Sequence, residues 1–185
     1  MKITAAILAG GRSSRMGRSK ALLEIEGDRL IDRTRVVLES LHPTVSRVVI
    51  SGDPTLFPKA IPDVRPFRGP VEGIKSVAKA LLSTDPTHGG LLVVPVDLPL
   101  LSPEALRPLI DHFLRSGGQA AAYSDTPLPA IFRLDGGLID AAEGTDSVHG
   151  LLDALKAHFL APPELRALTN TNTPEEWAQI VGRQP

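Results

Sequence analysis

The sequence predicts a three-layer α/β domain with a mostly parallel sheet, on three observations. Short apolar runs rich in β-branched residues recur, segments with helical periodicity lie between them, and no cysteine, linker or repeat divides the 185 residues. The length is that of one large domain, so residues 1–185 are read as a single unit. Lys2–Leu8, Arg47–Ser51 and Leu91–Val96 read as buried strands, because a strand covered on both faces is apolar throughout rather than alternating. Pro95 within the third run predicts a local irregularity, since proline cannot donate to a ladder. Leu30–Leu41 and Val71–Leu82 have helical spacing, and strand–helix–strand order implies parallel crossovers. Farther on, Ser102-Pro103-Glu104 is an N-cap with proline at the first helical position, and the helix runs to about Leu114 before Gly117-Gly118 stops it. Gln119–Tyr123 and Ala130–Leu134 read as strands. Ser147 caps a helix through Lys156, and Thr173-Pro174-Glu175-Glu176 is a capping box opening a last helix. Asp53-Pro54 reads as another helix N-cap.

Composition narrows the function. Twenty Lys and Arg balance 21 Asp and Glu, which excludes nucleic-acid coating and polybasic membrane docking driven by bulk charge. The longest apolar runs fall far short of the roughly 18 residues that span a bilayer, and the first strand lacks the flanks of a signal peptide. A cytoplasmic location is the expectation. Without cysteine there is no disulfide, thiolate ligand or cysteine nucleophile. The histidines at 42, 88, 112, 149 and 158 have no ligand spacing, and none is assigned to a metal.

The segment after the first strand, Leu8-Ala9-Gly10-Gly11-Arg12-Ser13-Ser14-Arg15-Met16-Gly17-Arg18-Ser19-Lys20, departs from this balance. Residues 1–23 carry +5 and the remaining chain −6. Glycines directly after a buried strand let the backbone approach a ligand and turn N–H groups toward it, and clustered cations complement phosphates. A nucleoside triphosphate suits such a loop; a plain turn flanked by solvated arginines is the other reading. The spacing is neither a Walker A nor a dinucleotide fingerprint. Asp97, at the end of the third strand, is either an Asx-turn before Leu98-Pro99 or a carboxylate for Mg²⁺ in the crevice where open α/β sheets bind ligands. Asn170 and Asn172 would point the same way in an extended segment, and their amides could grip one ligand on the side of the crevice opposite the first loop; otherwise they form a turn before Thr173.

The first loop resembles the Leu-Ala-Gly-Gly…Arg-Met-Gly…Lys signature of nucleotidyltransferases. The resemblance is closest to the molybdenum cofactor guanylyltransferase family and includes Gly69-Pro70-Val71-Glu72-Gly73-Ile74, Val94-Pro95-Val96-Asp97-Leu98-Pro99, Leu128-Pro129-Ala130-Ile131 and Asn170-Thr171-Asn172-Thr173-Pro174-Glu175-Glu176. It implies a Rossmann-like nucleotidyltransferase fold and transfer of GMP from GTP to molybdopterin or Mo-molybdopterin. GTP would lie against Leu8, Ala9, Gly10, Gly11, Lys20, Asp63 and Asp97, with Asp63 at the nucleoside and Asp97 holding Mg²⁺. Lys20, Arg15 and Asp97 would be the catalytic set, Asn170 and Asn172 the acceptor residues, and a molybdoenzyme or another cofactor-biosynthesis protein a further partner. One departure concerns the base: where the family commonly has an asparagine after the second strand, this chain reads Ser51-Gly52-Asp53. A cytidylyltransferase, another nucleotidyltransferase acting on a sugar or alcohol phosphate, and a non-catalytic cofactor-delivery subunit stay open at this point.

Overall fold

The computed structural model describes residues 1–10, 19–65, 68–84, 88–163 and 165–171. A six-stranded sheet forms its middle layer, built from β1 (Lys2–Leu8), β4 (Val45–Ser51), β5 (His88–Pro95), β6 (Ala120–Tyr123), β7 (Thr126–Arg133) and β8 (His158–Leu160) in the order β4-β1-β5-β7-β6-β8. The pairs β4–β1, β1–β5 and β6–β8 are parallel; β7 alone runs against the others. A two-stranded ribbon, β2 (Glu24–Ile25) and β3 (Asp28–Arg29), stands apart from it.

The central strands are apolar throughout because both faces are covered. Ile3, Ala5 and Ile7 of β1, with Leu92 and Val94 of β5, pack into one core with α1 (Leu30–Glu39) and α3 (Pro103–Ser116). Ala6, Leu8, Leu91 and Val93 face the other way, into a core shared with α2 (Pro70–Thr84), α4 (Gly136–Glu143) and α5 (Val148–Ala154). Alternation along one strand thus feeds two cores, which makes the fold three-layered.

Several expected boundaries hold on their chemistry. Ser102 Oγ accepts from the Ala105 N–H at 3.3 Å, Pro103 occupies the first turn, and Gly117 closes α3 in the left-handed region at φ 64°. Ser147 Oγ accepts from the Gly150 N–H at 3.0 Å and opens α5, which ends at Ala154 rather than Lys156.

Others are corrected. Pro95 creates no irregularity: it is the last residue of β5, still in register with Leu8, and the shift in this pairing falls at Lys2/Ile3 instead. β5 also begins earlier than Leu91 and takes in Gly89 and Gly90. A Cβ at Gly90 would stand 3.1 Å from Ile3 Cγ1, so the absent side chain is what lets β1 and α3 close over this end. Asp53 caps no helix; its Oδ1 accepts from Thr55 N at 2.8 Å and Thr55 Oγ1 at 2.7 Å, an Asx-turn that also holds its pKa below the usual carboxylate range. α4, β8 and the β2–β3 ribbon were not expected. The capping box at Thr173 lies outside the described residues. Among those described, no helix is long and apolar enough to cross a membrane.

Candidate nucleotide site

Three parallel strands end side by side, and each hands its last residues to the same crevice. Ala9 N donates to Ser51 O at 2.8 Å and Val96 N to Leu8 O at 3.2 Å, so the ladder extends past β1 and fixes Leu8, Ala9 and Gly10 between the ends of β4 and β5. Leu8 is buried, Ala9 partly so and Gly10 exposed, a gradient that brings main chain to the surface at the first glycine. Gly11 and Arg15 lie outside the described residues.

Lys20 opens a short 3₁₀ turn anchored by fully buried Ala21. From there its ammonium crosses to β5, donating to Asp97 Oδ2 at 3.1 Å and to the Thr171 carbonyl at 2.7 Å. Both charged side chains are 19% exposed, which leaves the pair at the crevice surface, accessible to a ligand yet partly shielded from water. The Thr171 N–H in turn donates to the Asp97 carbonyl at 3.1 Å. Residues 20, 97 and 171, far apart in sequence, thus close one hydrogen-bonded junction.

That junction revises the expected layout. Thr171 is buried and Asn170 exposed, in keeping with alternation along an extended segment, but the segment sits on Lys20 at the end of the first loop and not across the crevice from it. Asn172 lies outside the described residues.

Asp63 approaches from the connection after β4, where Ile61 forms an isolated parallel bridge with Ser51. Ser51 Oγ donates to Asp63 Oδ1 at 3.3 Å, and a Cβ on Gly10 would lie 3.5 Å from Asp63 Oδ2. The carboxylate therefore stands beside Gly10. Burial raises its pKa above the ordinary aspartate value, the Ser51 hydroxyl partly opposes this, and the nearby Glu72 charge adds to the rise. Gly73, in the first turns of α2, makes this packing possible: a Cβ there would come within 2.8 Å of Ser51 Oγ and 3.4 Å of Asp63 Oδ1.

Two features here were not legible in the sequence. Glu72 and Lys75 form a buried ion pair on α2 at 2.8 Å, with Glu72 Oε1 lacking a hydrogen-bond partner. The Thr171 carbonyl, being main chain, has no residue-type signal at all. Glu72 and Lys75 also line a charged cavity of about 190 Å³ between α2 and the α4–α5 turn, where Arg68 pairs with Asp146 at 3.5 Å.

The arrangement can bind an anion through Lys20 and main chain, and a hard cation through Asp97. Among the described residues no cluster of three or more acidic or imidazole side chains could enclose a metal by itself, so a cation here would need ligand oxygens as well. Among the described residues no acid–base–nucleophile triad accompanies it, and such a triad is not needed where the substrate brings its own nucleophile.

Comparison with known proteins points the same way. The MobA-like NTP transferase domain matches residues 5–163. The molybdenum cofactor guanylyltransferase of Xanthomonas euvesicatoria pv. vesicatoria is 35% identical, over 98% of this chain and 96% of its own. The molybdopterin-guanine dinucleotide biosynthesis protein A of Archaeoglobus fulgidus superposes with a TM-score of 0.72 at 23% identity, covering 98% of this chain and 97% of that one. The 2-C-methyl-D-erythritol 4-phosphate cytidylyltransferase of Thermus thermophilus does so at 0.68 and 18%, covering 98% of each. The structural likenesses establish a shared nucleotidyltransferase fold.

Proposed function

The chain belongs to the MobA-like NTP transferase domain family, and from that premise we propose that it transfers GMP from GTP to molybdopterin, releasing pyrophosphate and forming molybdopterin guanine dinucleotide. The observation that carries this reading is the Lys20–Asp97–Thr171 junction at the carboxyl ends of β1 and β5.

An ionised terminal phosphate of the acceptor is already nucleophilic. Its oxygen forms a bond to the α-phosphorus of GTP as the bond from that phosphorus to the α–β bridging oxygen breaks, and the electron pair leaves with pyrophosphate. The protein needs neither a general base nor a covalent intermediate; its tasks are alignment and charge neutralisation. Lys20 serves the second task. Its ammonium is held by Asp97 and the Thr171 carbonyl before the nucleotide arrives, so little rearrangement is needed to present it to the phosphates. Gly10 serves the first, bringing exposed main chain to the ligand beside Asp63. Asp63 would meet the nucleoside, and Arg15 would add a second cation. Asn170 and Asn172 would hold the acceptor.

Mg²⁺ is the implied metal, and the residues fit it: Asp97 offers hard carboxylate oxygen at the crevice surface, and Mg²⁺ is commonly held by one or two carboxylates together with substrate phosphates. When bound it would neutralise charge on the phosphates.

Lys20 and Asp97 favour an enzyme over a delivery subunit, because a pure binder has less need for a carboxylate aimed at phosphates. The cytidylyl alternative rests on Ser51-Gly52-Asp53 at the place where asparagine is common. Pyrophosphate release with each of four NTPs, with and without molybdopterin, tests the proposal. Release with GTP that requires the pterin is expected; release with CTP at an equal or higher rate would move the assignment to cytidylyl transfer.

A further inference from the structure

His112 and His158 are 46 residues apart, and nothing in their sequence spacing connects them. The fold does. His112 stands on α3, and His158 opens the edge strand β8, whose parallel pairing places it in register with Ala121 of β6. Their nearest ring nitrogens, His112 Nε2 and His158 Nδ1, are 3.0 Å apart, with ring centres 5.2 Å apart and planes at 71°.

We propose that these two imidazoles chelate a divalent transition-metal cation of the Zn²⁺, Ni²⁺ or Cu²⁺ class, with water completing the coordination. Imidazole nitrogen is the ligand such ions prefer, whereas Mg²⁺ and Ca²⁺ select oxygen. The spacing fits. Two metal–nitrogen bonds of about 2.1 Å meeting at a tetrahedral angle put the nitrogens about 3.4 Å and the ring centres about 5.3 Å apart. The nitrogens need to part only from 3.0 Å to about 3.4 Å with the ring centres near their present spacing, an adjustment open to the side-chain torsions of two exposed rings.

The alternative occupant of the gap is a proton, shared as an N–H···N hydrogen bond. At this exposed position water competes for that bond, so it gives little reason for the rings to stay together. A cation replaces that single bond with two metal–nitrogen bonds. It would also tie α3 to β8, the last strand of the sheet, which carries exposed His158 and Phe159. The pair lies at the sheet edge opposite β4, on the far side from the strands that form the nucleotide crevice, so this ion would brace the fold and take no part in transfer. The inference does not depend on the proposed reaction.

Titration of the full chain with Zn²⁺, Ni²⁺ and Cu²⁺, and with Mg²⁺ as the hard-cation control, tests it by calorimetry on wild type, His112→Gln and His158→Gln. One transition-metal ion per chain is expected, with Kd raised tenfold or more in each variant. Melting temperature should rise by about 3–6 °C at a tenfold excess of metal over Kd in wild type and stay flat in both variants. Electron paramagnetic resonance of the Cu²⁺-loaded wild type should register two nitrogen ligands, a readout that holds even if a variant folds poorly. Unchanged affinity in either variant, or a single-nitrogen Cu²⁺ spectrum, would overturn the site and leave the pair as a hydrogen bond.

Discussion

The two halves of the sheet end very differently. Beyond the carboxyl ends of β1, β4 and β5 stand Gly10, Asp63 and Asp97, and Lys20 opens the next described element after β1. On the other side, Tyr123 of β6 and Thr126 of β7 are joined by two residues, and the helices after β7, α4 and α5, are capped by Asp135 and Ser147. Parallel strands need crossovers, and a crossover starts at the carboxyl edge with backbone to spare; an antiparallel hairpin leaves none. Chemistry collects where topology supplies loose chain over a rigid frame. Stability collects in the other half.

Substitutions should separate the two. The largest effect is expected from Phe132→Ala in β7, a fully buried ring whose loss should cost about 3–5 kcal/mol of unfolding free energy in denaturant titration. Folded variant molecules should retain near-normal turnover. Asp97→Asn should do the reverse, reducing kcat on the order of a hundredfold, or about 2.7 kcal/mol at the transition state, with only a small change in melting temperature. A folded Asp97→Asn protein with undiminished kcat at limiting Mg²⁺ would remove Asp97 from the reaction.

Smaller effects sharpen the division within the crevice. Lys20→Ala should weaken GTP about tenfold more than GMP in equilibrium binding, because in the proposed reaction its charge would face the outer phosphates; equal losses would place it elsewhere. For Asp63→Asn, nucleotide binding should fall while stability at neutral pH rises slightly. Its raised pKa means the native state holds the Asp63 proton more tightly than the unfolded chain does. That contribution is present below the ordinary aspartate pKa and lost as pH rises through the higher native value. The gain from Asp63→Asn should therefore vanish in acid, where the wild-type carboxyl is protonated too. A melting-temperature difference that persists at low pH would locate the effect in packing. Ser147→Ala, in the structural half, should cost about 1 kcal/mol through loss of the α5 cap and leave binding constants unchanged.

The same division explains what could be read beforehand. β1, β5 and the second half of β4 carry apolar residues on both faces and are followed by glycine, serine or aspartate, so hydrophobic runs disclosed them and their ends located Asp97 and the first loop. α4 was hidden because Gly136-Gly137 mimics a turn, although Asp135 Oδ1 caps it by accepting from Leu138 N at 3.2 Å. β8 is three residues long, and β2 and β3 two each, too short for any period to declare itself. Asp53-Pro54 has the composition of an N-cap, and only the neighbouring Thr55 hydroxyl and the turn at Leu56 and Phe57 divert it to an Asx-turn. Within the site, Lys20 and Asp97 were legible, while the buried Glu72–Lys75 pair and the main-chain partners were not. Lys20 and Asp97 declared themselves by position, whereas the Thr171 carbonyl that joins them depends on tertiary closure.

The proposed reaction cleaves GTP between its α- and β-phosphates and leaves the α-phosphate on the pterin. GTP labelled at the α-phosphate, incubated with the protein, Mg²⁺ and molybdopterin, follows that atom directly. The label should appear in a molybdopterin dinucleotide, in step with one unlabelled pyrophosphate per turnover, and should stay in GTP when the pterin is omitted. Label recovered as GDP with inorganic phosphate released, or GMP formed at the same rate without pterin, would contradict nucleotidyl transfer to this acceptor.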